Sequence, residues 1–129
     1  MSYGRFDPAT LALLEQEREI TIETLRPDGV AQRTIIWVVT DEDKAFVRSW
    51  RGDRARWYQA AVDRPEDVVV LVGDRRLDVR AVPATDDGSI ARCSSALERK
   101  YAGDPATKSM VREEILGTTV RLEPRDVSP

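Results

Sequence analysis

The sequence contains no histidine and a single cysteine, Cys93. One cysteine excludes an intramolecular disulfide and a cysteine-based metal cage. The lack of histidine excludes triads with an imidazole base, zinc sites with histidine ligands, and imidazole acid–base chemistry near neutral pH. No apolar run approaches the roughly 18 residues that a membrane span needs, and residues 1–18 lack the pattern of a secretory signal. We therefore expect a cytoplasmic protein that does not associate with membranes and binds no metal.

Lysine is also scarce. Of the 20 basic residues, 17 are arginines, and the lysines are Lys44, Lys100 and Lys108. The net charge of -3 and the pI near 5.1 argue against nucleic acid as a partner. A guanidinium group is a planar fork that binds carboxylate or phosphate in two places at once. A GC-rich genome is the simplest explanation of the bias, and its consequence is that nearly every positive group in the chain is suited to carboxylate or phosphate.

The length and composition fit one domain. The chain has 129 residues, of which 41% are hydrophobic and 33% charged, which is enough to fill a modest core without disulfides. We expect a single domain over residues 1–129, with its core between about 11 and 124 and a frayed tail at 125–129.

Turn and cap residues divide the chain into short elements. Asp7 and Pro8 predict the start of a helix that ends near Arg18, and Asp53 is predicted to cap a helix over 54–63. The residues 86–89 predict the start of a longer helix that stops at Gly103, and a further short helix follows up to 116. Alternating apolar residues predict strands over 19–25, 33–40, 44–50, 68–72, 76–82 and 118–122.

These six strands, joined mainly by hairpins, favour an antiparallel barrel with helices packed outside it. An open α+β sheet fits the same hairpin order and remains the alternative. The strand over 33–40 is the most apolar, so we expect it to be central, with both faces covered.

The segment 47–58 is the strongest candidate for a binding site. It holds four arginines and three aromatic residues, and it runs from a strand end through Gly52 into a helix start. A helix N-terminus offers free N–H groups and partial positive charge to a phosphate. Bidentate contacts from the guanidinium groups would add to that charge. The arginines that we expect to contribute are Arg48, Arg51 and Arg54.

The same residues also have a purely structural interpretation. Arg48 would then face solvent, while Arg54 and Arg56 would pair with Asp53, Asp63 or Glu66. A carboxylate of Asp53 that capped the helix would also occupy the N–H groups that a phosphate needs. We further expect Cys93, at helical spacing with apolar neighbours, to be buried and unreactive.

Five segments resemble the split-barrel flavoproteins related to pyridoxamine-phosphate oxidase, and the similarity is strongest to a small, largely uncharacterised bacterial branch. The segments are 33–39 (RTIIWVV), 46–52 (FVRSWRG), 56–58 (RWY), 96–101 (ALERKY) and 119–124 (TVRLEP). The resemblance implies a fold that is mainly β with helices (α+β): a six-stranded antiparallel split β-barrel with peripheral helices.

The resemblance also implies a site. Members of known activity are homodimers that hold FMN, a deazaflavin or haem in grooves at the dimer interface. Carried over to this chain, Arg33, Thr34 and Ile36 would lie along the cofactor, and Trp37 and Trp50 would flank its ring. The residues that would hold its phosphate are Arg48, Ser49, Arg51 and Arg54.

Three functions remain open at this point. The first is a flavin- or deazaflavin-dependent oxidoreductase, in which the cofactor carries the chemistry. The second is a split barrel that binds a small anionic or aromatic molecule without a redox cofactor. The third is a barrel kept for self-association or for a protein partner, which predicts that Arg48 and Arg51 lie at the surface with carboxylate partners.

Overall fold

The computed structural model describes residues 5–125. One sheet and four α-helices make up most of this part of the chain. The helices are α1 (Pro8–Gln16), α2 (Arg56–Asp63), α3 (Asp87–Lys100) and α4 (Thr107–Met110). The strands are β1 (Ile20–Leu25), β2 (Ala31–Ile36), β3 (Val39–Asp41), β4 (Lys44–Val47), β5 (Val68–Val72), β6 (Arg75–Pro83) and β7 (Val120–Pro124). None of the described helices is long and apolar enough to cross a membrane.

Two helices begin where the cap residues predict. The carboxylate of Asp7 accepts a hydrogen bond from the Thr10 N–H at 2.7 Å, and Pro8 fills the first helical position of α1. The carboxylate of Asp86 accepts one from the Ser89 N–H at 3.0 Å at the start of α3. Each side chain satisfies a backbone donor that the helix itself cannot pair.

The strands form one antiparallel sheet in the order β2-β1-β5-β6-β7-β4-β3. Its two edge strands, β2 and β3, are joined by only Trp37 and Val38, so the sheet must curl until its edges approach each other. This confirms the mainly β split barrel with peripheral helices. It has seven strands rather than six because the predicted strand 33–40 is divided in two.

The prediction that this strand is central is wrong, since β2 and β3 lie at opposite edges of the sheet. Consecutive apolar residues of this run lie in different surroundings. Ile36 and Val38 pack inside the curled sheet, Val39 packs in a second cluster, and Ile35 is 66% exposed. The apolar residues of this run therefore belong to two separate core clusters, and they do not mark a single strand that is buried on both faces.

The core has two parts that meet at β4. Ala45 and Val47 point into the curled sheet, while Phe46 between them points into a cluster against α3, as the strand alternation predicts. Cys93 and Leu97 of α3 are fully buried in this second cluster. Burial of Cys93 is thereby confirmed, and it raises the pKa of the thiol to about 11, although the nearby charge of Arg48 opposes the shift.

The connection from β4 to α2 differs from the prediction. Gly52–Arg54 form a single 3₁₀ turn, and α2 begins at Arg56 with Ala55 in the cap position and no side-chain cap. Gly52 adopts φ +69°, a conformation that favours glycine, and its carbonyl accepts from the Ser49 hydroxyl at 2.7 Å. This turn holds Asp53 outside the helix, so Asp53 does not cap α2.

The C-terminal part also departs in detail from the predicted elements. The short helix predicted up to residue 116 is divided into α4 and a 3₁₀ segment, Glu113–Thr118, and β7 begins at Val120. Of the predicted frayed tail, residues 126–129 lie outside the described part of the chain. The Arg125 N–H donates to the Asp78 carbonyl at 3.0 Å.

Candidate functional site

A cleft of about 730 Å³ lies between β2 and the segment that leads from β4 into α2. The first wall is β2, from which Gln32, Thr34 and Ile36 line the cleft together with Trp37 beyond the strand. Because β2 is an edge strand, the backbone groups on its outer side have no ladder partner within residues 5–125. They are available as hydrogen-bond donors and acceptors to a ligand lying along this wall.

The second wall comes from the turn at Gly52. That turn brings Arg48 and Arg51, from the end of β4, to the same side as Arg54 and the first turn of α2. The N-terminus of α2 at Ala55–Trp57 lines the cleft and carries no side-chain cap. The free N–H groups and partial positive charge of a helix start therefore lie at the cleft wall.

Arg48 is 2% exposed, so the interpretation in which it faces solvent is wrong. Its guanidinium group donates to the hydroxyls of Thr119 at 2.8 Å and Ser94 at 2.9 Å. It also donates to the carbonyls of Met110 at 3.0 Å and Ile90 at 3.2 Å. All four acceptors are neutral, and burial lowers the pKa of Arg48. Arg48 is thus a buried cation that has no carboxylate partner in the part of the chain that the structure describes.

Arg51, Arg54 and Arg56 form the exposed part of the same cationic wall. Within the described chain, no carboxylate oxygen lies within 4.0 Å of any of their nitrogens, whereas Glu66 pairs with Arg80 on another surface. The pairing of Arg54 and Arg56 with Asp53, Asp63 or Glu66, which the structural interpretation required, is therefore not found. Four arginines that have no carboxylate partner among the described residues thus line one cleft.

The three tryptophans have different surroundings. Trp57 is 5% exposed and belongs to the core, although it touches the cleft. Trp37 is half-buried and stacks on Tyr101, with ring centroids 3.8 Å apart and an angle of 9° between the planes. Trp50 is 56% exposed, and together with Ile35 it leaves an apolar surface along the cleft.

Most of the predicted site residues line this cleft, and two do not. Arg33 points to the opposite face of β2, where its Nε donates to Glu23 at 3.0 Å, because neighbouring residues of a strand alternate between faces. Ser49 is fully buried and bonded to Gly52. The predicted residues that the cleft brings together are Thr34, Ile36, Trp37, Arg48, Trp50, Arg51 and Arg54.

Sequence reasoning missed several residues of the cleft. Gln32 shares a strand face with Thr34 and Ile36, so period-two spacing could have found it. Glu19, the one carboxylate among the described residues that line the cleft, reaches it only because β1 pairs with β2. Met110 comes from the far end of the chain, and no local signal marks it.

Comparison with known families decides the relationship. The profile of a family described as uncharacterized proteins conserved in bacteria, DUF2255, matches residues 10–122. The chain belongs to the DUF2255 family. No curated protein is detectably similar in sequence to this DUF2255 chain.

Solved structures share the fold at low sequence identity. HutZ from Vibrio cholerae, described as a heme storage protein, is 14% identical, with a TM-score of 0.69 and coverage of 95% of this chain and 92% of HutZ. A putative pyridoxamine 5'-phosphate oxidase from Listeria innocua is 16% identical, with a TM-score of 0.61 and coverage of 93% and 92%. An F420 reductase is 21% identical, with a TM-score of 0.59 and coverage of 91% and 92%.

The DUF2255 chain spans only 52% of a further similar structure, Campylobacter jejuni ChuZ, with a TM-score of 0.75 and 11% identity. Together these likenesses show that this DUF2255 chain has the split-barrel fold, which the sequence resemblance predicts.

Proposed function

We propose that this protein is a flavin- or deazaflavin-dependent oxidoreductase that holds the anionic part of its cofactor against the arginines of the cleft. The observation that carries the proposal is the set of Arg48, Arg51, Arg54 and Arg56, which line one cleft without a carboxylate partner within residues 5–125. The buried charge of Arg48 is costly without a nearby anion, and the exposed Arg51, Arg54 and Arg56 add positive charge beside it. A phosphate on the cofactor would supply that anion and form charge-assisted hydrogen bonds.

The walls of the cleft suit a planar ring next to the phosphate. Trp37 and Trp50 line the cleft and offer aromatic surface. The free edge of β2 offers backbone groups to the ring's heteroatoms. When bound, the cofactor supplies hydride transfer at its ring system. The chain's own residues bind its phosphate, orient its ring and exclude water from one side of it.

The solved structures support a ligand of this class without choosing among its members. One relative is described as a putative pyridoxamine 5'-phosphate oxidase and another as an F420 reductase. Haem, suggested by the likeness to HutZ, fits the residues of this chain less well. The chain has no histidine to serve as an axial ligand, and its single cysteine is a buried thiol.

The proposal is tested by spectroscopy on protein purified without added cofactor, followed by titration with FMN, a deazaflavin and riboflavin. A yellow protein, or tight binding of FMN or the deazaflavin, is the expected result. Riboflavin has the ring but lacks the phosphate, so we expect it to bind more weakly if the arginines hold the phosphate. A colourless protein that binds neither cofactor would contradict the proposal and favour a binding protein without redox chemistry.

We also propose that the cleft lies at a homodimer interface. Ile35 and Trp50 expose apolar surface beside the cleft, and an exposed patch next to a binding groove is typical of an interaction site. An obligate homodimer would bury more than about 2,000 Å² of surface.

Light scattering tests the dimer. We expect Ile35→Lys to give a monomer with weakened FMN binding. The matched control is Val62→Lys, because Val62 is 45% exposed on α2 but does not line the cleft. A wild-type protein with only the monomer mass at micromolar concentration would contradict the interface.

A further inference from the structure

Trp37 occupies the two-residue junction between the edge strands β2 and β3 and lines the cleft. Its indole stacks on Tyr101, which directly follows α3, and the guanidinium carbon of Arg18 lies 5.6 Å from the Trp37 ring centroid and 5.5 Å from that of Tyr101. Arg18 is itself ion-paired with Asp104 beyond α3. The indole is therefore held from the α3 side and presents its remaining surface to the cleft.

Tyr101 is anchored by hydrogen bonds as well as by the stack. Its hydroxyl has one proton to donate and lies 2.6 Å from the carbonyl oxygen of Arg18 and 3.2 Å from that of Val38. Burial raises the pKa of Tyr101 to about 12, so the hydroxyl keeps its proton at neutral pH. If the Tyr101 ring turned away from Trp37, the hydroxyl would lose its acceptors and the carbonyl of Arg18 would lose the donor that lies 2.6 Å away.

Lys100 fixes the same junction from the neighbouring position. Its Nζ donates to the carbonyls of Leu14 at 2.9 Å, Glu17 at 2.8 Å and Val38 at 2.7 Å. Burial lowers the pKa of Lys100 to about 8, while Glu15 and Glu17 oppose the shift, so the ammonium group persists at neutral pH. One side chain thus ties the end of α1 to the junction between the sheet edges.

We propose that Lys100 and Tyr101 are positioning residues of the cleft, which hold the Trp37 ring in the orientation against which the ligand ring binds. This inference rests on the proposed function of the cleft as a site for a planar cofactor. Its physical basis is that the Val38 carbonyl, beside Trp37, lies within hydrogen-bond distance of Lys100 Nζ and of the Tyr101 hydroxyl, whereas Val38 takes part in no strand pairing within residues 5–125. Because the Trp37 ring is already fixed before the ligand binds, binding does not carry the entropic cost of ordering that ring.

The test uses protein labelled with 5-fluorotryptophan, whose three tryptophans give three ¹⁹F resonances that are assigned by Trp→Phe variants. The variants are Tyr101→Leu, which removes the stack and the hydroxyl, Tyr101→Phe, which keeps the stack, and Lys100→Met. The control is Val79→Ala, which destabilises the core inside the sheet, where Val79 is fully buried, and does not touch the cleft.

We expect Tyr101→Leu and Lys100→Met to shift and broaden the Trp37 resonance while the Trp57 resonance stays in place. FMN should bind about three- to tenfold more weakly to Tyr101→Leu, the range that an aromatic pair supplies. Tyr101→Phe should fall between Tyr101→Leu and the wild type. An equal loss of affinity in Val79→Ala would show that the variants act through stability alone and would overturn the inference.

The two proposals can fail separately. If the wild-type protein binds neither FMN nor the deazaflavin, the proposed function fails, but the ¹⁹F resonances of the ligand-free protein still report on Trp37. An unchanged Trp37 resonance in both Tyr101→Leu and Lys100→Met would overturn the positioning role, whether or not FMN binds.

Discussion

Arginines on the outer face of the sheet and arginines in the cleft have opposite surroundings. On the outer face, Glu23 accepts from Arg33 at 3.0 Å and lies 3.8 Å from Arg76. In the cleft, Arg51 and Arg54 have no carboxylate within 4.0 Å in the described chain, and the buried Arg48 has only neutral acceptors. The same residue type thus balances charge on one surface and leaves charge unbalanced on another. An arginine-rich sequence therefore indicates a ligand only where the fold places no carboxylate next to the arginines.

The largest effect is expected from Arg48. Arg48→Met should lower the free energy of unfolding by about 3 kcal/mol or more, since two hydroxyls and two carbonyls lose their charged donor. Arg33→Met, on the outer face and more exposed, should change stability little. Chemical denaturation of both variants measures the difference. Equal effects would mean that the buried guanidinium contributes no more than a surface ion pair.

Arg51 tests the cleft side of the comparison. Arg51→Ala should weaken binding of FMN or the deazaflavin by roughly 1.5–3 kcal/mol, or about ten- to a hundredfold, through loss of a charge-assisted hydrogen bond. Arg33→Ala, from the paired outer face, is the matched control and should leave binding unchanged. Titration followed by absorbance or fluorescence decides, and equal affinities of the two variants would count against the phosphate assignment.

Cys93 tests how a thiol behaves when it is buried near the charge of Arg48. Because burial outweighs the nearby Arg48 and raises the pKa of the thiol to about 11, little thiolate exists at neutral pH. We expect labelling of the folded protein by a thiol reagent to be far slower than labelling of the denatured chain. Cys93→Ser should cost about 1–3 kcal/mol of stability, since a hydroxyl there lacks a ready partner, and should not change cofactor binding. Rapid labelling would mean that the thiol is accessible.

The smallest effect is expected from the outer face itself. Burial alone would raise the pKa of Glu123, but hydrogen bonds from Arg80 and Arg121 outweigh it and lower that pKa. A lowered pKa in the folded state gives stability that is present above the ordinary value near 4.5 and is lost as the pH falls through the folded value.

Glu123→Gln should therefore cost about 1 kcal/mol or less at neutral pH. Its stability should converge with that of the wild type in acid. Urea denaturation of the variant and the wild type at neutral and at acidic pH measures the difference in stability. A difference that grew in acid would contradict the lowered pKa of Glu123.

Local signals in the sequence were sufficient for much of the fold. The caps at Asp7 and Asp86 and the alternation through Phe46 are properties of neighbouring residues, and each is found where the sequence predicts it. The break at Trp37 and Val38 has no such signal, because neither glycine nor proline interrupts the apolar run. The break is instead stabilised by side chains that follow more than 60 residues later, at the end of α3.

The residues of the cleft likewise include some that local sequence could predict and others that depend on contacts distant in sequence. Arg48, Arg51 and Arg54 lie close together in sequence, so their convergence on one cleft follows from a single turn at Gly52. The positions of Glu19 and Met110 on the cleft depend on strand pairing and on helix packing across the chain. Composition could suggest that the arginines bind an anion, but only the fold determines which of them lack a carboxylate.

The sheet order has a consequence for the way the chain acquires its structure. β7 lies between β6 and β4, and it is the sole link in the described sheet between the group β2-β1-β5-β6 and the group β4-β3. During synthesis the first group can assemble as its strands appear, but the hairpin of β3 and β4 has no sheet to join until residues 120–124 leave the ribosome. Completion of the barrel thus depends on β7, and a chain truncated before Val120 would hold two unjoined sheets with newly exposed edges prone to aggregation.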